Sequence, residues 1–143
     1  MSFKILLLPP DVDASWPEKI RQAVPGAIVK AFGDPKDALT DIEDADATYG
    51  TVPPELFARA KQLRWICAAR AGLGGDWFYE ALVQSAVVVT NMRGSYNEHL
   101  STHAVAIYGA PYRQKWEEIL LENCRRFAAG EPLLNVVDKK TWY

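Results

Sequence analysis

Five short apolar runs, each followed by turn residues and a helical stretch, constrain this chain more than any other feature. The runs are Phe3–Leu8, Ala27–Phe32, Ala45–Tyr49, Arg64–Ala69 and Val87–Thr90. The first is continuous but for Lys4, and the last is a β-branched run, as strands buried on both faces require. Between them lie helical segments: Trp16–Ala23, Pro35–Ile42, a stretch opened by Pro53-Pro54, and Asp76–Gln84. Strands alternating with helices predict a parallel sheet, because parallel neighbours need a crossover between them. The right-handed crossover rule then favours an α/β fold with an open, doubly wound five-stranded sheet. The expected order is the flavodoxin-like 2-1-3-4-5, with helices flanking both faces.

The punctuation agrees with this division. Pro9-Pro10 stops the first run, and Ser15 precedes Trp16-Pro17 as an N-cap before a first-turn proline. Pro25-Gly26 ends the first helix, and Gly33-Asp34-Pro35 turns the chain after the second strand. Leu56, Phe57, Ala60 and Leu63 form the apolar stripe of the helix after Pro54. The last third differs. Glu98–Ile107 has helical spacing, and Tyr112–Ala129 is strongly amphipathic, with Trp116, Ile119, Leu120, Cys124 and Phe127 on one stripe. Tyr108-Gly109-Ala110-Pro111 links the two. Gly130 is the C-cap candidate, Pro132 bars continuation, and Leu133–Val137 is an apolar extended segment expected to pack back onto the domain.

Composition narrows the function classes. With 143 residues the chain is one domain, long enough for a sizeable core. A net charge of −2 gives no basic footprint for nucleic acid. No cationic amphipathic helix suits a membrane surface, and no apolar run approaches the roughly 20 residues of a bilayer span. Cys67 and Cys124 form no pair motif, which favours reduced thiols and a cytoplasmic setting. The start, FKILLLPP, reads as a buried strand rather than a targeting segment.

The chemistry-bearing candidates are few. Ala71-Gly72-Leu73-Gly74-Gly75 lies between a strand and a helix, where a dinucleotide fingerprint would sit, but its third glycine would fall at Trp77. The same turn suits a small carboxylate, since backbone N–H groups of a glycine turn form an anion site. His99 and His103 share a helix face, yet no further ligands complete a metal site and no acid orients either ring, so no metal is expected. Asp11 and Asp13 resemble the acidic pocket of a receiver domain, but Tyr49-Gly50 and Asn91 stand where its further Asp and Lys belong. The first turn, PPDVDAS, lacks a phosphate cradle for a flavin. Cys67 lies within a buried strand and is read as inert. The tryptophans, with no basic groove beside them, are read as core residues.

Several segments resemble the D-isomer-specific 2-hydroxyacid dehydrogenases of the glyoxylate and hydroxypyruvate reductase type. They are Leu63-Arg64-Trp65-Ile66 with Ala71-Gly72-Leu73, Val88-Val89-Thr90-Asn91 with Gly94, His103-Ala104, and the closing Gly130-Glu131-Pro132-Leu133-Leu134-Asn135-Val136-Val137-Asp138-Lys139. The resemblance implies a flavodoxin-like substrate domain built from both ends of a chain, with an inserted Rossmann domain that binds NAD or NADP. It implies that the turn at Ala71, Gly72 and Leu73 holds a substrate carboxylate through its backbone, with Tyr49, Gly50 and Asn91 nearby. The family's catalytic Arg, Glu and His belong to the inserted domain, so no catalytic residue and no cofactor is expected within these residues. Thr102 stands where a Glu is usual, and Lys140-Thr141-Trp142-Tyr143 departs from the usual Gly-Tyr ending.

The segment up to residue 107 resembles the exit towards the cofactor domain, whereas 112–143 resembles the family's closing segment. Their near abutment implies a single substrate-binding domain of 1–107 and 112–143, joined by design at 108–111. The parent reaction would reduce a 2-oxo acid such as glyoxylate or hydroxypyruvate to its D-2-hydroxy acid, and this chain alone would be inactive. Its expected ligand is at most a weakly held 2-oxo carboxylate. The alternative is a ligand-free engineered scaffold that self-associates through the surface near 96–112, with Tyr96, Ile107, Tyr108 and Tyr112 as contacts.

Overall fold

In the computed structural model, residues 2–77, 79–95 and 110–141 are described, without the side chains of Asp76, Ala110, Pro111 and Tyr112. The expected helix Glu98–Ile107, with His99, Thr102 and His103, lies outside the described residues, as do Tyr96, Tyr108 and Trp142.

The apolar runs form five strands: β1 Lys4–Leu7, β2 Ile28–Ala31, β3 Ala47–Tyr49, β4 Trp65–Cys67 and β5 Val88–Thr90. All pair in parallel, in the order β2-β1-β3-β4-β5. This is the doubly wound arrangement that the alternation of strands and helices predicts. Side chains alternate across the sheet, as the period of two demands. Ile5, Leu7, Tyr49, Trp65 and Cys67 enter one core, and Leu6, Leu8, Ile66 and Val89 the other. The first core is covered by α1, Trp16–Ala23, and α4, Ala110–Ala129, through Trp16, Ile20, Trp116, Leu120 and Cys124. The second is covered by α2, Pro54–Phe57, and α3, Glu80–Gln84, together with short 3-10 turns.

Five local expectations change. Ser15 does not cap α1 with its hydroxyl; the Ser15 N–H and Oγ both donate to Asp13 Oδ1, at 2.8 and 2.7 Å, so Asp13 organises the entry instead. The helix expected over Pro35–Ile42 is two 3-10 turns, Pro35–Ala38 and Asp41–Asp44. Residues three apart on a 3-10 turn eclipse, which brings Asp41 and Asp44 together onto one ammonium, that of Lys4 on β1. The helix after Pro54 is a single turn. The helix expected from Asp76 starts only at Glu80: Gly75–Trp77 forms a 3-10 turn instead, and Tyr79, at φ -75° and ψ 141°, is extended backbone that precedes the helix. The final helix starts at Ala110, inside the expected link, with Pro111 in the first turn where its missing N–H costs nothing.

Gly130 ends α4 as its sequence predicts. Its φ is +71°, and the Glu131 N–H donates to Arg126 O at 2.9 Å while Gly130 N–H donates to Phe127 O at 3.2 Å, a Schellman closure. The chain then runs back antiparallel beside β5. Thr90 bridges Val136, Val137 N–H donates to Val89 O at 2.8 Å, and Val137 is buried. This strap occupies part of the edge that β5 would otherwise expose. Its far end is pinned by Lys139, whose ammonium donates to the carbonyls of Leu82, Ser85 and Val87. Those contacts satisfy carbonyls at the end of α3, although burial of the ammonium lowers its pKa.

The Lys4 cluster ties β1 to the second 3-10 turn, and Lys30 of β2 joins it through Asp41 at 2.6 Å. Burial pulls the Lys4 pKa down, but bonds to Asp41 and Asp44 outweigh it and the net shift is upward. Asp41 is held low by Lys30 and then Lys4, and Asp44 by Lys4. Stability from the two carboxylates is present above their unfolded pKa and is lost as pH falls through the lower folded values. Stability from Lys4 is present below its unfolded pKa and is lost as pH rises through the higher folded value. Urea midpoints should therefore fall below about pH 4 and again above about pH 10.5. Asp44→Asn should shrink the acid-side loss; an unchanged acid limb in that variant would show that the cluster contributes nothing.

Candidate functional site

The candidate residues gather where the strands end at the carboxyl edge of the sheet. In open α/β sheets this edge carries the ligands, because the loops that leave the strands converge there. The strand order reverses between β1 and β3, and at that point the two exit loops touch backbone to backbone. Thr51 N–H donates to Pro9 O at 3.2 Å. Gly50 has a φ of +98°, and a Cβ added to it would lie 2.1 Å from Leu8 O. Only glycine fits that approach. Gly50 N–H in turn donates to Cys67 O at 3.0 Å, which leads from β3 to β4. The Tyr49 ring is fully buried, edge-on to Trp16 at 5.0 Å between centroids. Tyr49 and Gly50 thus form the packed support of this edge, and Tyr49 offers no exposed surface.

Beyond β4 the chain opens into the glycine turn. Two bonds from the loop after β5 hold it: Met92 N–H donates to Arg70 O at 2.9 Å, and Asn91 Nδ2 donates to Ala71 O at 3.0 Å. Asn91 is itself fixed, its Oδ1 accepting from Arg93 N–H at 3.1 Å. The structure therefore brings Ala71, Gly72, Leu73 and Asn91 together, with Tyr49 and Gly50 beneath the neighbouring strand end. Among the described residues, no acceptor takes the N–H groups of Ala71, Gly72, Leu73 or Gly74. Gly72 is exposed, and Ala71, Leu73 and Gly74 are half-buried. Arg70 is also exposed, and its guanidinium forms no ion pair among the described residues. N–H groups with no acceptor among the described residues, preceded in the chain by an exposed arginine, favour an anion with planar acceptor oxygens, such as a carboxylate.

The other reactive groups are quiet. Burial pushes the Cys67 thiol up to about 12, only partly offset by its bond with Thr90, and burial raises Cys124 well above its ordinary value. Both stay protonated near neutral pH, so neither is a thiolate nucleophile. Among the described residues no group of three or more His, Cys, Asp or Glu could hold a metal ion, and His99 and His103 lie outside them. No described helix is long and apolar enough to cross a membrane. A shallow cleft of about 560 Å³ lies at the opposite ends of β4 and β5, between Arg64, Val88, Phe127, Pro132, Leu133 and Val136. Its charged residues are engaged: Arg64 with Asp46 at 2.8 Å and stacked 4.7 Å from the Phe127 ring, and Glu131 with Arg125 at 2.7 Å.

No known family profile matches the sequence, and no curated protein matches it. Among solved structures, the chain is similar to D-2-hydroxyisocaproate dehydrogenase, with a TM-score of 0.44 and 14% identity over 64% of this chain and 30% of that one. It is also similar to a D-isomer specific 2-hydroxyacid dehydrogenase family protein from Klebsiella pneumoniae 342, with a TM-score of 0.40 and 15% identity over 96% of this chain and 56% of that one. The chain therefore spans less than two thirds of the length of either.

Sequence reasoning missed Asn135. Its φ is +55°, and its side chain reaches the same loop that holds the glycine turn. The signal was a single amide residue breaking the apolar run Leu133–Val137, where a strand-like segment has no need of one.

Gly50→Ala tests how this edge is built. The substitution meets both a left-handed backbone and a carbonyl that cannot withdraw, and it should cost about 3 kcal/mol or more in urea unfolding. A loss under about 0.5 kcal/mol, within the range of ordinary surface changes, would contradict the close approach of the two loops.

Proposed function

We propose that the chain is the substrate-binding domain of an NAD- or NADP-dependent D-2-hydroxyacid dehydrogenase. It would take the carboxylate of a small 2-oxo acid, such as glyoxylate or hydroxypyruvate, on the backbone of the turn at 71–74. The observation that carries this reading is a tethered glycine turn at the carboxyl end of β4, four of whose N–H groups have no acceptor among the described residues. The sequence resemblance supports it, because it assigns the carboxylate to the same three residues, Ala71, Gly72 and Leu73.

Within these residues the role is binding rather than turnover. Hydride transfer needs a nicotinamide and its substrate held in one cleft. The turn does not carry the dinucleotide fingerprint: where a third glycine would let helix and strand pack closely stands Trp77, whose large ring fills the second core. On this reading the nicotinamide and the groups that move protons come from a separate nucleotide-binding domain. A carboxylate held by backbone donors without a bidentate clamp should bind at about 1 mM, equivalent to about 4 kcal/mol.

A heteronuclear NMR titration tests the reading. Glyoxylate should give saturable shifts in the amides of Ala71–Gly74, and NADH should give none. A well-dispersed spectrum that ignores glyoxylate would instead favour the ligand-free scaffold. If that spectrum also broadened with protein concentration, self-association would be the property to pursue.

A further inference from the structure

We propose that Asn91 and Asn135 are positioning residues of the carboxylate turn, which makes the C-terminal strap part of the site. The inference rests on the reading of 71–74 as the carboxylate site, and it adds what aims the donors.

The argument follows the bonds from α4 to the turn. Asn123, buried in α4, clasps Leu134 on both sides: its Nδ2 donates to Leu134 O at 3.2 Å, and its Oδ1 accepts from Leu134 N–H at 2.8 Å. The next residue, Asn135, turns into the left-handed region at φ +55°. That turn directs its carbonyl to Asn91 N–H, at 3.1 Å, and its Nδ2 to the carbonyls of Asn91 and Arg93, at 3.1 and 2.9 Å. Asn91, itself buried, passes the constraint on by donating Nδ2 to Ala71 O at 3.0 Å.

Peptide planarity converts this tether into an orientation. In a trans peptide the C=O and the following N–H point in opposite directions. Ala71 O is drawn towards Asn91, so the N–H of Gly72 points away from the β5 loop. Arg70 O is drawn to Met92 N–H, so the N–H of Ala71 also points away. The two bonds thus set two adjacent peptide planes with their donors outward. Without them a turn holding Gly72, Gly74 and Gly75 has many backbone conformations open to it, and few would aim these donors at one ligand.

Asn135 is suited to its place for two separate reasons. Asparagine tolerates a positive φ, which most side chains do not. It also carries the two N–H donors that the Asn91 and Arg93 carbonyls accept. Glycine would keep the backbone and lose the donors; aspartate would lose the donors and add a charge facing two carbonyls.

Asn135→Gly and Asn91→Asp separate these contributions. The first keeps the left-handed backbone and removes both donations. The second keeps the acceptor for Arg93 N–H, removes the donor to Ala71 O and sets a carboxylate against that carbonyl. Lys139→Met serves as a control that weakens the far end of the strap, remote from the turn. In ligand-free spectra, both asparagine variants should move the amide resonances of Ala71–Gly74, while the lysine variant should lower stability and leave them in place. With glyoxylate as the probe, the asparagine variants should bind at least five-fold more weakly, and the lysine variant as the unaltered chain does. Turn resonances that stay fixed in Asn91→Asp would overturn the proposal, whatever happens to the stability of Asn135→Gly. If the unaltered chain itself ignores glyoxylate, the carboxylate reading falls, and the ligand-free spectra still decide whether the strap orients the turn.

Discussion

The burial of β1 on both faces is the constraint from which the rest follows. Ile5, Leu6, Leu7 and Leu8 all have no solvent-exposed surface, and they divide alternately between the two cores. A central strand of this kind is stable only with a layer of helix or turn on each side. Those layers are crossovers, and crossovers make the strands parallel. A parallel sheet, in turn, sends every exit loop to one edge. The glycine turn lies beside the loops from β3 and β5 for that reason, although they are far apart in the chain.

At that edge, the loops differ in what they spend their polar groups on. The loops after β1 and β3 use their backbone on each other, through Gly50 and Thr51 against Leu8 and Pro9. The loop after β4 instead gives up two carbonyls to Asn91 and Met92, and the N–H groups of Ala71–Gly74 have no acceptor among the described residues. A loop in a folded domain ordinarily finds partners for its donors within the protein or in water. Here the carbonyls of Arg70 and Ala71 are tied down and the N–H groups of Ala71 and Gly72 are turned out, an asymmetry that suits recognition of an anion. The strap extends the same arrangement to α4, so the turn is set by contacts from both the early and the late parts of the chain.

Much of the fold was legible because burial leaves a regular trace. The five runs gave the five strands, and Pro25-Gly26 and Gly130 marked the ends of α1 and α4. What was harder to read depended on contacts between distant residues. Pro35–Ile42 has a helical pattern, but Lys4 and Lys30 reward the tighter turn that aligns Asp41 with Asp44. Ser15 is a good capping residue by type, yet the neighbouring Asp13 takes its hydroxyl. Of the candidate site, Ala71, Gly72, Leu73 and Asn91 could be proposed from sequence and are adjacent in space. Asn135 could not, because its significance lies in a left-handed turn and in bonds to residues more than 40 positions away.

The most direct measurement is a crystal structure of the chain grown with oxamate, a stable mimic of a 2-oxo acid. The account predicts carboxylate oxygens within hydrogen-bond distance of the N–H groups of Ala71–Gly74, with Ala71 O still held by Asn91. Oxamate seated elsewhere, or a glycine turn whose N–H groups face inward onto the protein, would contradict it.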